Sequence, residues 1–262
     1  MNHRPLALVT GAGRGIGRVI AEYLGDRGYD VALHYWDEPD AAQATAQDIG
    51  RRGGRAACFR GDLADERVPR QLVADVIAKF GRLDAVVNNA GVVTMRPFVA
   101  LSDDDLDRTY RINYRAPFVI AQEAARWMVE HRVAGAIVHI TSVHQERASN
   151  WDSAYGSMKA ALARATESMA LELAPHGIRV NAVAPGRIVT PERQKTADPA
   201  REQAVAAHIP LGESGDAWDV ARAVAWLLSS EARYVTGITL RVDGGLNLPI
   251  HQALVDGRLE YI

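Results

Sequence analysis

Short runs rich in apolar and β-branched residues alternate along the chain with longer segments whose apolar residues recur at helical spacing. The runs Leu6–Val9, Val31–Leu33, Ala56–Phe59, Leu83–Val87, Ala136–Ile140, Ile178–Val183 and Ile238–Val242 predict seven strands. Several are apolar nearly throughout, the pattern of strands covered on both faces. After the first run, Ile16, Val19, Ile20, Tyr23 and Leu24 repeat at helical spacing, and Gly25 and Gly28 mark the end of that helix. Further helices are predicted over 39–52, 65–80, 103–131, 153–175 and 216–230. This alternation predicts an α/β fold, a doubly wound parallel seven-stranded sheet with helices on both faces. No linker divides the chain, so one domain over 1–262 is expected. The stretch from Thr190 to Pro210 breaks the rhythm: it is polar and carries three prolines. A substrate lid is expected at about 187–210, and a short C-terminal tail over 246–262.

Composition narrows the class. The 262 residues include 30 Lys+Arg and 32 Asp+Glu, a formal net charge of −2, with 48% hydrophobic and 24% charged residues. That is the make-up of a folded globular protein. The even balance argues against nucleic-acid or anionic-membrane partners, which call for a basic face. The single cysteine, Cys58, excludes an internal disulfide and a multi-cysteine metal site, and its place in an apolar strand run predicts a buried, inert thiol. The eight histidines show no H-E-x-x-H or comparable spacing, so no catalytic metal is predicted. No apolar run approaches ~18 residues, and no secretory leader pattern is present. A cytoplasmic location is expected.

Candidate chemistry begins at the first strand–helix junction. Thr10-Gly-Ala-Gly-Arg-Gly-Ile-Gly17 follows the first strand and opens the first helix. Glycines there let backbone approach a pyrophosphate, and the helix N-terminus supplies N–H donors and a positive dipole. A tight turn with no ligand is the other reading of such a loop. Its spacing, Gly11-x3-Gly15-x-Gly17, resembles that of the short-chain dehydrogenase/reductase family. The resemblance continues in order: Asp62-Leu63, Asn88-Asn-Ala-Gly91, Asn113, Ser142, Tyr155-x3-Lys159, Pro185-Gly186, Thr190, Tyr-Val-Thr-Gly237 and Val-Asp-Gly-Gly245.

The resemblance implies a Rossmann fold, a nicotinamide cofactor and a homotetramer or homodimer. It implies cofactor contacts from Gly11, Gly15, Ile16, Gly17, Asp62, Leu63, Asn89, Ala90, Gly91, Tyr155, Lys159, Pro185, Gly186, Ile188 and Thr190. Cofactor preference depends on the end of the second strand, at His34, Tyr35 and Trp36. An acidic residue about 20 positions beyond the glycines would hold a ribose 2′-OH. Here Tyr35 and Trp36 stand there, with Asp37 only afterwards, and Arg14 in the loop can pair with a 2′-phosphate. NADP(H) is therefore favoured over NAD(H), with dual use open if Asp37 turns inward.

Tyr155 and Lys159, four apart, share one face of a helix. A free phenol has a pKa near ~10 and a nearby ammonium lowers it, so the pair suits general acid/base work. The resemblance implies that Lys159 also holds the nicotinamide ribose, that Ser142 donates to the substrate oxygen, and that Asn113 holds a water leading from Lys159 to solvent. The expected substrate contacts are Ser142, His144, Trp151 and Tyr155. The polar walls at Val92–Arg96 and Val143–Asp152, joined by the lid, suit a hydroxylated or charged small molecule.

Thr141-Ser-Val-His-Gln with Trp151, and Ile209-Pro-Leu-Gly212, are similar to bacterial glucose 1-dehydrogenases, although the acidic residue those enzymes carry after Asn-Asn-Ala-Gly is absent. The glycine loop equally fits 3-oxoacyl-acyl-carrier-protein reductases, for which Arg96, Arg111, Arg115 and Arg147 would face an acidic partner. The expected activity is an NAD(P)(H)-dependent interconversion of a secondary alcohol and a carbonyl, on a sugar or polyol. A 3-oxoacyl reductase and a non-catalytic NADP-sensing protein are the alternatives.

Overall fold

The computed structural model describes residues 4–196, 198–248, 252–255 and 258–261. In chain order the elements are β1 (Leu6–Val9), α1 (Gly15–Asp26), β2 (Asp30–Tyr35), α2 (Pro39–Arg51), β3 (Ala56–Arg60), α3 (Val68–Phe80), β4 (Ala85–Asn88), α4 (Asp103–Tyr110), α5 (Ala116–Glu130), β5 (Ala136–Ile140) and α6 (Ser153–Leu173). There follow β6 (Arg179–Pro185), β7 (Ile188–Val189), α7 (Pro191–Gln194), α8 (Pro199–Ala206), β8 (Gly215–Asp216), α9 (Ala217–Leu228), β9 (Thr239–Val242), β10 (Gln252–Val255) and β11 (Arg258–Tyr261). Seven strands form one sheet in the order β3-β2-β1-β4-β5-β6-β9, every pairing parallel.

The expected doubly wound sheet is present, and the chain reverses direction across it between β1 and β4. Val9 at the end of β1 is level with Leu33 of β2 and Val87 of β4. The loops after these three strands therefore open at one edge. Apolar side chains of α1 and α9 pack on one face of the sheet with Val9, Leu33, Val87 and Val138. Those of α3 and α5 cover the other with Leu8, Val86 and Ile137. Both faces of the central strands are thus removed from water, as their continuous apolar runs require.

The helix expected over 103–131 is interrupted. It splits into α4 and α5 around a widened turn at Arg111–Arg115, in which the Ala116 N–H reaches back to the Arg111 carbonyl. Pro117 accounts for the break: it has no N–H for the carbonyl four residues earlier, that of Asn113, and its ring crowds it. The expected lid is partly ordered structure rather than a loop, since β7, α7 and α8 lie within it. Ala197 of that segment lies outside the described residues, as do Pro249, Ile250, His251, Asp256, Gly257 and Ile262 of the expected tail. The described part of the tail forms an antiparallel pair, Leu254 opposite Leu259. Among the described residues no helix is long and apolar enough to cross a membrane. Cys58 is half-buried on β3 rather than fully enclosed, and burial pushes its thiol up.

Candidate active site

Two cavities adjoin at the strand ends, of about 460 Å³ and 440 Å³, and share Ile16, Asn89 and Gly91 in their walls. The first is lined by Gly11, Arg14, Gly15, Ile16, Gly17, His34, Tyr35, Trp36, Asp62, Leu63, Asn89, Ala90, Gly91 and Thr190 from the expected cofactor set. The second holds Ser142, His144, Tyr155, Lys159, Pro185, Gly186 and Ile188.

The first cavity rests on close backbone packing. A Cβ on Gly17 would collide with the Gly11 carbonyl oxygen and the Asn89 amide. Asn89 Nδ2 donates to the Thr10 carbonyl at 2.9 Å and the Gly11 carbonyl at 3.2 Å, while Thr10 Oγ1 accepts from the Asn89 and Ala90 N–H groups, both at 3.0 Å. These bonds tie the loops after β1 and β4 together. His34 adds a third tie. Its Nδ1 accepts from the Gly11 N–H at 3.3 Å and its Nε2 meets the Gly61 carbonyl at 3.0 Å, which fixes the proton on Nε2. Burial pulls this imidazole down to about 4, so it is neutral at pH 7. His34 thus stands behind the glycine loop with both nitrogens engaged.

The donor set suits a dinucleotide. The α1 N-terminus carries no side-chain cap and no acidic residue in its first turn. Glu192 of α7 lies near this end, its Oε1 3.6 Å from Arg18 Nη1, and its carboxyl sits below the usual range despite burial. Uncapped N–H groups at the positive end of a helix dipole suit a pyrophosphate. At the outer rim of this cavity Arg14 is exposed and paired with Glu38, Nη1 to Oε1 at 2.7 Å. Asp37, Glu38 and Arg108 join the wall there, Arg108 meeting Asp62 at 3.3 Å.

In the second cavity, Tyr155 and Lys159 project from α6 with the Nζ 5.8 Å from the Tyr155 ring centre. Lys159 is buried and donates to the Ile140 carbonyl at 2.8 Å. Burial lowers its ammonium to about 8. The phenol differs from the sequence-based expectation. Burial raises Tyr155 above its ordinary value, against a lowering hydrogen bond with Ser142, and Asp152 raises it further. The expected depression by Lys159 is not seen: burial of the ring sets the direction.

Asn113 lies beneath Gly91, where an added Cβ would sit 2.8 Å from Asn113 Oδ1 and 3.4 Å from Lys159 Nζ. Both ends of its amide serve Val92, accepting from the N–H at 3.2 Å and donating to the carbonyl at 2.9 Å. Its side chain therefore braces the wall at Val92. Trp151 is the other departure: it is 60% exposed and does not line the catalytic cavity. Its carbonyl accepts from Arg96 N–H at 3.0 Å, joining two loops of the wall.

Glu38, Arg108, Glu192 and Thr10's bracing role were not evident from spacing, since each acts through a partner distant in sequence. Thr10 alone carried a signal, as the first residue of the glycine motif.

A glycine cradle opening into a chamber of serine, tyrosine and lysine defines a nicotinamide-dependent oxidoreductase. A family model described as enoyl-(acyl carrier protein) reductase matches residues 11–247. Glucose 1-dehydrogenase 2 of Bacillus subtilis is 37% identical over 244 residues, 92% of this chain and 94% of that protein. A 3-oxoacyl-acyl-carrier-protein reductase of Staphylococcus aureus is also 37% identical, over 92% of this chain and 97% of its own. The crystal structure of acetoin dehydrogenase from Enterobacter cloacae superposes with a TM-score of 0.89 at 39% identity, covering 95% of this chain and 97% of that one. The chain belongs to the short-chain dehydrogenase/reductase family and is an oxidoreductase acting on CH–OH groups.

Proposed function

We propose that this enzyme interconverts a secondary alcohol and a carbonyl on a hydroxylated small molecule of sugar or polyol type, with NADP(H) favoured over NAD(H). The observation that carries this is the convergence of Ser142, Tyr155 and Lys159 on one cavity that opens into the glycine cleft. When bound, the nicotinamide supplies or accepts the hydride. In reduction, Tyr155, protonated at neutral pH, donates its phenolic proton to the substrate oxygen. Ser142 donates a hydrogen bond to the same oxygen as charge develops there. Lys159 remains a cation beside the phenol, holds the ribose and favours the phenolate left behind. Oxidation runs these steps backwards.

The NADP(H) preference rests on Arg14 at the rim beyond Tyr35 and Trp36, which would exchange its Glu38 partner for the 2′-phosphate. Residues 187–210 serve as the lid over one domain, with Val205 and Ile188 on its inner side. The enzyme works in the cytoplasm as a homotetramer or homodimer. An apolar cleft between α5 and α6, lined by Phe118, Ala121, Ala125, Val129, Met169 and Leu173, supports assembly.

The 3-oxoacyl reductase reading draws on the equal identity of that relative. It loses ground at the arginines expected to meet an acidic carrier. Arg96 pairs with Asp105, Arg111 with Asp107 and Arg115 with Glu66, while Arg147 donates to the Leu246 carbonyl.

The test is a panel of sugars, polyols and ketones with each nicotinamide, read by its absorbance. Tyr155→Phe is expected to lose about 10²–10⁴-fold in kcat with cofactor affinity kept, and NADPH to show the lower KM. Full activity in Tyr155→Phe removes the assigned role, and a lower KM for NADH removes the preference.

A further inference from the structure

Behind the catalytic tyrosine lies an acid–imidazole pair that the chemistry above does not use. His144 Nδ1 lies 2.7 Å from Asp152 Oδ2, with the carboxylate enclosed and the ring a third exposed. Asp152 Oδ2 also accepts from the Ser149 N–H at 3.2 Å, and its carbonyl accepts from the Gly156 N–H at 2.8 Å. The His144 ring stands edge-on to Tyr155, centroids 5.8 Å apart at 73°. Its own N–H donates to Ser142 Oγ at 3.2 Å. Trp151, directly before Asp152, is held at φ 68°, a left-handed conformation unusual for an aromatic residue. Backbone strain of this kind is kept where it sets a functional geometry.

A carboxylate only accepts, so it draws the imidazole proton to Nδ1 and leaves a lone pair on Nε2. Among the described residues Nε2 has no protein partner and is not enclosed. An acceptor fixed in this way takes a hydroxyl. Ser142 and Tyr155 claim the reacting oxygen, and His144 borders both, so that hydroxyl belongs on the neighbouring carbon. We propose that Asp152 positions His144 to read a second hydroxyl, making the substrate class α-hydroxycarbonyl compounds and the corresponding vicinal diols. This rests on the alcohol–carbonyl reading of the same site.

The test uses the full chain with 3-hydroxy-2-butanone against 2-butanone, and with 2,3-butanediol against 2-butanol. The native enzyme is expected to favour each hydroxylated substrate at least tenfold in kcat/KM. His144→Phe keeps the ring's packing and is expected to bring that ratio towards one through a raised KM for the hydroxylated substrates. Asp152→Ala is expected to reduce the ratio, and Asp152→Asn, which can still hold Nδ1–H, to retain more of it. Nucleotide affinity by fluorescence titration checks that each variant is folded. Equal losses on both substrates, or a native ratio near one, overturn the proposal while leaving the oxidoreductase reading intact. No turnover of any carbonyl or alcohol overturns both.

Discussion

His34 shows how one buried side chain couples the cofactor loop to pH. Its folded value of about 4 lies below the ordinary value near 6.5, so the unfolded chain takes the proton first. The neutral ring's contribution is complete above pH 6.5 and is lost as pH falls towards 4, by roughly 1.4 kcal/mol per unit. His139, buried beside Asn88 and lowered to about 3 by burial and Lys159, acts in the same sense. Urea midpoints measured from pH 7 to 4.5 should fall steadily, and His34→Gln should flatten that fall. Identical slopes in both proteins would remove His34 from this account. At this scale the sequence was only partly readable. Tyr155 and Lys159 were legible because a four-residue interval on a helix fixes their shared face. The elevated phenol was not, because burial depends on everything packed around the ring. His34 stood out only by position, its two backbone partners lying 23 and 27 residues away.

At the β1–α1 junction backbone packs directly against backbone and the Asn89 amide. Gly17 enters α1 against the Gly11 carbonyl and the Asn89 amide, with no room for a methyl group. Gly17→Ala should therefore cost about 1–3 kcal/mol through overpacking, a drop of several degrees in Tm, together with lost nucleotide affinity. Calorimetry that finds native Tm and affinity would contradict the packing described. Most elements were legible from apolar spacing because a doubly covered strand and a one-sided helix leave different periods. The division of the 103–131 helix was not read, since apolar periodicity runs on through it. Its cause, Pro117, is local and covalent, and Asn113, with its side-chain brace to Val92, lies within the widened turn.

Across the whole molecule, seven parallel strands bring their C-terminal ends to one edge, so markers scattered from Thr10 to Thr190 become neighbours. That is why the order of motifs was enough to assemble most of the site. Contacts between loops, such as Arg14 with Glu38 and His144 with Asp152, follow from loop shape and left no trace in spacing. Assembly is also a property at this scale. Light scattering should give a dimer or tetramer, and Val129→Glu in the α5–α6 cleft should shift it to smaller species; a native monomer would contradict the proposed assembly. The cleft's two ends meanwhile differ in how they tolerate change. Thr10, Gly17 and Asn89 are locked to one another, whereas Arg14 and Glu38 meet in solvent at the rim. Replacements at those two rim positions would therefore leave the packing of the glycine cradle intact. Divergence at the locked end would need several simultaneous replacements, so the glycine cradle should outlast any change of metabolic role.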